Sequence, residues 1–229
     1  MSDALYGWCL IVIGDRKTPP DWTYKNAFYL CLEDQLKLAK NYNIVNMIPL
    51  NSYLRKMIGY LFAISNGAKF IYETDDDNAP FDGLFGFRYE TFKGLEANYE
   101  KSDDCETKFI NPYSYFGQPS VWPRGYPLER ISTDSTCSKA QNNFNFNIYD
   151  ETMIPLIQQG LVNGDPDVDA IYRLTRKNEK LLNIEFDGNA PPLVLNKNEY
   201  APINSQNTFY DYKSFFTLIF PLNVTFRGN

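Results

Sequence analysis

The sequence predicts an α/β fold in which a mostly parallel central sheet carries helices on both faces. Three observations lead there. Residues 6–14, Tyr-Gly-Trp-Cys-Leu-Ile-Val-Ile-Gly, form a near-continuous apolar run with β-branched side chains, the composition of a buried central strand. Over residues 51–66, Leu54, Met57, Ile58, Leu61 and Ile64 recur at spacings of three and four, so one face of a helix is apolar. Lys69, Phe70, Ile71 and Tyr72 then supply a short β-prone run that ends in Glu73, Thr74, Asp75, Asp76, Asp77 and Asn78.

Taken in order, the first strand ends at Asp15, and residues 15–22 leave its carboxyl end as a polar loop. In open α/β sheets a nucleotide base or ribose is held there, which makes Asp15 and Lys17 candidate contacts; a plain loop accounts for them as well. Residues 27–40, with Leu30, Cys31, Asp34 and Leu38, read as a helix, and residues 42–45 as a second short strand, completing a βαβ unit. Asn51 or Ser52 caps the next helix and Gly67 ends it. The N-terminal third therefore reads β-α-β-α-β, a mononucleotide-binding half. Arg55 and Lys56 lie in the first turns of the second helix, where two cations and the helix dipole suit a diphosphate; they also suit an ordinary charged surface.

The acids after the third strand are the chemical centre of this reading. Ligands sit at the carboxyl ends of strands in such sheets, and three adjacent Asp side chains repel one another unless a cation or solvent relieves them. Asp75 and Asp77 share a face by alternation, and oxygen-only ligation suits Mn²⁺ or Mg²⁺ held jointly with a diphosphate, with Asp76 beside it. A solvated acidic turn is the plain alternative.

Beyond residue 80 helical periodicity is lost, and residues 111–128 are too apolar for a free linker and too rich in Pro for a regular element. A loop packed over the site fits, with Trp122 and Tyr126 as faces for a sugar ring and Arg124 as a fork for phosphate or hydroxyl groups; a loop fixed by its own aromatics fits too. Residues 154–160 are a short apolar segment. A second acidic constellation follows, and one of Asp165, Asp167 or Asp169 is the candidate base that deprotonates an acceptor hydroxyl, unless Arg173 and Arg176 neutralise the group as a structural network. Residues 193–195 read as a strand, residues 200–208 as amides and hydroxyls suited to sugar hydroxyls, and residues 208–220 as a final amphipathic helix.

At 229 residues the chain is expected to form one domain, residues 1–78 its nucleotide-binding half and residues 79–229 its acceptor side. A net charge of -6 and a pI near 4.8 lack the footprint needed for phosphate backbones, so nucleic acid is excluded as a partner. With no His in the chain, proton transfer and metal binding fall to Asp and Glu. Cys9 and Cys31 read as core, and all four cysteines as reduced thiols; a bridge between Cys105 and Cys137 is the alternative. The opening residues are not expected to act as a signal peptide, and the sequence holds no apolar run of about eighteen residues. The expectation is a cytoplasmic chain without a membrane span, or a Golgi lumenal one if excised from an anchored protein. The sequon at Asn223 is a match of a kind frequent by chance.

Residues 55–64 leading to Gly67, Ala68 and residues 71–78 resemble the signature of the STELLO-like glycosyltransferase family, and three later stretches agree in order: residues 122–128, residues 165–174 and residues 201–208. The resemblance implies a GT-A fold, a sugar nucleotide donor such as a UDP-sugar, a glycan or other hydroxyl acceptor, and a divalent metal at Asp75 and Asp77. Two other readings remain. A nucleotidyltransferase would need a Gly-rich basic loop after the first strand, of which Gly14, Asp15, Arg16 and Lys17 are a poor version. A catalytically silent scaffold domain would keep the fold alone.

Overall fold

A computed structural model describes residues 7–79, 92–98, 108–131, 145–151, 155–175, 182–195 and 199–218. It is mixed α/β and divides into two compact units, Met1–Ile71 with Tyr210–Asn229, and Tyr72–Phe209.

In the first unit β1 (Leu10–Ile13) pairs in parallel with β2 (Ala27–Leu30), Leu10 opposite Ala27 and Ile13 opposite Leu30. Residues 27–30 are thus a strand and not the start of the expected helix. The positive φ of Asn26, 62°, turns the chain into a stretch whose Phe28 and Tyr29 favour a pleated surface. The helix, α1, is confined to Leu32–Leu38, with Glu33 and Asp34 in its first turn and Lys37 in its last, as the dipole favours. The expected strand over residues 42–45 is instead a 3-10 helix, Asn43–Asn46, that buries Val45; so short an apolar run carries no period of its own.

The second expected helix is present. A 3-10 turn, Tyr53–Arg55, runs into α2 (Lys56–Ser65), and Ser52 caps it, its Oγ accepting from the Leu54 N–H at 3.3 Å. At its end the Ala68 N–H donates to Ala63 O and the Gly67 N–H to Ile64 O, both 3.0 Å. That pair of bonds needs a left-handed residue, and Gly67 has φ 81°. Leu54, Met57 and Ile58 are buried while Ile64 is exposed. Gly59 lets α2 lie close on β1: a Cβ there would stand 3.0 Å from Ile13 Cγ1. The chain then enters β3 (Phe70–Thr74), inside which the division between the units falls.

The second unit adds β4 (Phe92–Asn98), β5 (Lys108–Phe109), α3 (Pro112–Tyr115), β6 (Asn145–Glu151), β7 (Ile157–Gln159), α4 (Ala170–Leu174), β8 (Leu193–Val194), β9 (Glu199–Tyr200) and the start of β10 (Asn207–Asp211). The stretch over residues 111–128 does hold a regular element, α3, because Asn111 caps it and Pro112 takes the first helical position, where its missing N–H costs nothing. The strands gather as β1-β2, β3-β10-β7, β6-β4-β8 and β5-β9, so among the described residues they form sheets of two or three strands where one central sheet was expected. Pairing is parallel in β1-β2, β4-β8 and β5-β9 and antiparallel in β4-β6. Strands of two residues such as β5, β8 and β9 are too short to extend a sheet far.

The expected terminal helix over residues 208–220 is also corrected within its described part. Thr208, Phe209 and Tyr210 continue β10, with all three buried, and only at Asp211, whose Oδ1 accepts from the Lys213 N–H at 2.9 Å, does a 3-10 helix begin, Tyr212–Thr217. Cys9 is exposed, not core, because β1 starts one residue later; Cys31 is half-buried and donates to Asp34 Oδ2 at 3.2 Å, and both are free thiols. Cys105, Cys137, Arg176 and the sequon at Asn223 lie outside the described residues. Among the described residues no helix is long and apolar enough to cross a membrane.

Candidate active site

The second unit packs around Tyr113, Val121, Val168, Tyr172, Ile184 and Phe186. Val121 and Val168 are 2% and 1% exposed, and the residues that follow Val121 pair with those around Val168. Pro123 and Val168 form an antiparallel bridge, the Arg124 N–H donates to Asp167 O at 3.3 Å, and the Asp169 N–H donates to Trp122 O at 3.3 Å. This short ladder carries the Arg124 side chain to the Asp167 carboxylate, where Nε and Nη2 both stand 2.7 Å from Oδ1. From the other side the Tyr113 hydroxyl donates to Asp167 O at 3.0 Å. Asn111 steadies that ring by accepting from the Tyr113 N–H at 3.1 Å while its Nδ2 donates to Val121 O at 2.6 Å.

The electrostatics of Asp167 are mixed. Burial pushes its carboxyl above the usual carboxylate range, Arg124 pulls it back by charge and hydrogen bonding, and the negative charge of Asp75 pushes it up again. The Tyr113 phenol is also pushed up, chiefly by burial. Asp75 and Asp167, drawn from the first and second acidic stretches, are therefore brought within electrostatic reach of each other.

Gln206 joins the same two stretches through hydrogen bonds. Its carbonyl oxygen accepts from the Asp75 N–H at 3.3 Å and from Asn78 Nδ2 at 2.7 Å. Its side chain accepts from the Asp167 N–H at 3.1 Å and donates to Asp165 O at 3.2 Å. The neighbouring amides, read from sequence as contacts for sugar hydroxyls, are engaged within the unit. Asn204 Oδ1 accepts from the Gln206 N–H at 3.0 Å, and Asn207 Oδ1 accepts from the Tyr72 hydroxyl at 3.0 Å. Gln159 on β7 donates to Asn204 Oδ1 and accepts from Thr208 Oγ1, at 3.1 and 2.9 Å. Density of amides in the sequence was a signal for this framework, but nothing in it marked Gln206 among them.

The three second-stretch acids separate by surroundings. Asp165 is exposed and paired with Arg173 at 2.8 Å. Asp169 caps α4, its Oδ1 accepting from the Ile171 N–H at 2.8 Å. Asp167 alone of the three lies deep against Arg124, its side chain 18% exposed. In the first stretch Asp75 is half-buried while Asp76 and Asp77 are exposed, and the Asn78 N–H closes a turn onto Asp75 O at 3.4 Å.

Trp122 meets Tyr172 edge-on at 5.1 Å and packs against the core, and Tyr126 is 3% exposed. Asp15, Lys17, Arg55 and Lys56 belong to the first unit. Asp15 Oδ2 accepts from the Ser52 N–H at 3.2 Å, Lys17 is exposed and Lys56 half-buried. Arg55 is 5% exposed, its Nε donating to Gln35 Oε1 at 2.9 Å, Nη2 to the same oxygen, and Nη1 to Ile48 O at 3.3 Å. That places its guanidinium in the interior, away from a surface diphosphate.

No group of three or more Cys, Asp or Glu side chains is gathered to enclose a metal among the described residues. Mg²⁺ and Mn²⁺ sites that are shared with a substrate are commonly completed by one or two carboxylates, substrate phosphates and water, and so need no such group. β3 ends at Thr74, so the half-buried Asp75 and the exposed Asp77 stand on the turn after it and do not share a strand face by alternation, though both remain available as carboxylate donors on one turn.

A mixed α/β unit with two acidic stretches joined at one corner is the class of protein this geometry defines. No protein-family model matches the chain. It is 35% identical over 226 residues to an Arabidopsis thaliana protein named "Probable glycosyltransferase STELLO1" and 37% identical over 226 residues to "Probable glycosyltransferase STELLO2" of the same plant. Each alignment covers 96% of this chain and 28% of the relative, so the chain spans little more than a quarter of the proteins it matches. The chain belongs to the STELLO-like family.

Proposed function

We propose that the chain is a glycosyltransferase that moves a hexosyl or pentosyl group from a nucleotide sugar, a UDP-sugar in the specific form, to a hydroxyl of a glycan or other acceptor, on a GT-A-like scaffold. The observation that carries the reading is that Gln206 bonds both the Asp75 turn and Asp167, one acidic stretch suited to the donor diphosphate and the other to a proton. Two relatives named as probable glycosyltransferases support the class of reaction.

In this reading Asp75 and Asp77 hold Mn²⁺ or Mg²⁺ with the donor diphosphate, and Asp76 lies beside them. The ion, when bound, offsets negative charge on the leaving nucleoside diphosphate. Asp167 takes the proton of the acceptor hydroxyl as that oxygen forms its bond to the anomeric carbon and the bond to the diphosphate breaks, its electron pair leaving with the nucleotide. Burial makes Asp167 more basic than an ordinary Asp, while Arg124 favours its ionised form and fixes Oδ1. Among the described residues no hydrogen bond engages Oδ2, the oxygen left to receive the proton.

The test is turnover of a panel of nucleotide sugars with and without Mn²⁺, on wild type, Asp77→Ala and Asp167→Asn. Metal-dependent release of nucleotide that both variants lose supports the assignment; turnover indifferent to metal and to both substitutions removes it.

A further inference from the structure

We propose that Gln206 is a positioning residue that keeps the Asp75 turn and the Asp167 carboxylate in one register, so that donor and acceptor groups hold their spacing during transfer. The inference rests on the transferase reading above. Its basis is the division of labour within one residue. The backbone carbonyl of Gln206 takes two bonds from the stretch that carries Asp75, and its side-chain amide makes two with the stretch that carries Asp167.

The chemistry asks for an amide of this length. The position needs an acceptor for the Asp167 N–H and a donor for Asp165 O, which one neutral carboxamide supplies at 3.1 and 3.2 Å. Glu keeps the acceptor and turns a second oxygen toward the Asp165 carbonyl. Ala keeps neither, although its backbone still receives Asp75 and Asn78. Neutrality matters as well, because the groups acting on Asp167 are Arg124 and Arg173 on the positive side and Asp75 on the negative, with Tyr113 bonded to its backbone. A further carboxylate at residue 206 adds to the negative side and makes Asp167 harder to ionise.

The experiment uses the full chain as wild type, Gln206→Ala and Gln206→Glu. Without ligand, Gln206→Ala is expected to speed exchange of the Asp167 amide by roughly tenfold, the scale of one lost hydrogen bond, while the Val121 and Val168 segments keep their protection. In steady state the same variant is expected to lose kcat by about tenfold with the donor KM changed far less, since the acids are present but misplaced. Gln206→Glu, which keeps the acceptor for the Asp167 N–H, is expected to recover Asp167 protection and kcat in part. A wild type that turns over no nucleotide sugar sinks the transferase reading and this role with it. Wild-type turnover combined with unchanged exchange and unchanged kcat in Gln206→Ala sinks the role of Gln206 alone.

Discussion

Arg124 grips one oxygen of Asp167 with two of its nitrogens: Nε and Nη2 each stand 2.7 Å from Oδ1. The pair is set by backbone, since the Arg124 N–H also donates to Asp167 O and Pro123 bridges Val168. Its side chains are 27% and 18% exposed, so solvent and salt screen the pair less than they would a surface ion pair. Two opposed demands meet there, because burial favours the neutral acid and Arg124 the carboxylate.

Asp167→Asn is expected to reduce kcat by on the order of a hundredfold or more, the usual effect of removing a general base, with little change in donor KM. The wild-type rate should rise with pH through a value above that of an ordinary Asp, and Asn should abolish that limb. Stability runs the other way. The folded-state value of Asp167 is raised, so its favourable contribution is full below the unfolded value and is lost as pH rises through the folded one. Urea titrations at several pH values should show wild type losing ground to Asp167→Asn as pH rises across that window; a wild type that instead gains on Asp167→Asn with rising pH would contradict the assigned burial.

Asp165→Asn and Asp169→Ala separate the three acids of the second stretch. Loss of the Asp165 pair with Arg173, which is 43% and 32% exposed, should change stability by no more than about 0.5 kcal/mol. Loss of the Asp169 cap should cost about 1 kcal/mol, measured by thermal or urea unfolding. Both variants should retain turnover when folded. A rate loss in either equal to that of Asp167→Asn would move the base to that residue.

The legible parts of this chain were those with local causes. The α2 helix, its Ser52 cap, its Gly67 terminus and the strand that follows are all written in spacing and caps within one stretch. The misread parts depend on partners far along the chain. Ala27–Leu30 is a strand because β1 lies beside it, and residues 207–211 are a strand because they join β3 and β7. The site shows the same division. Asp75 and the trio Asp165, Asp167 and Asp169 could be picked out by charge and setting, but that Asp167 is the one of the three that meets Arg124, that Asp169 is a cap and that Arg55 is buried against Gln35 are tertiary facts.

Removal of divalent metal by EDTA should abolish donor turnover, with Mn²⁺ or Mg²⁺ restoring it. Asp77→Ala should weaken the restoration by on the order of a hundredfold in metal concentration or rate, because in the proposed mechanism it removes one of two carboxylates from a shared ion. As Asp77 is exposed, its replacement should leave unfolding within about 0.5 kcal/mol of wild type. A loss of fold along with activity would show that the turn is structural.

Gln35 offers a prediction independent of the proposed chemistry. It is fully buried, its Nε2 donating to Gly14 O and Leu30 O, each at 2.7 Å, while Oε1 receives Arg55. One amide therefore ties the carboxyl ends of β1 and β2 to the turn that begins α2. Gln35→Leu fills similar space but strips a donor from two carbonyls and an acceptor from a buried guanidinium, so a loss of about 3 kcal/mol is expected. Gln35→Glu supplies Arg55 with a charged partner yet turns oxygen toward both carbonyls, and should lie between Leu and wild type. Amide exchange in β1 and β2 reads the effect within the first unit directly. Equal protection in Gln35→Leu and wild type would mean that water or a moved Arg55 satisfies those groups, and that the buried amide is not what joins the strands to the helix.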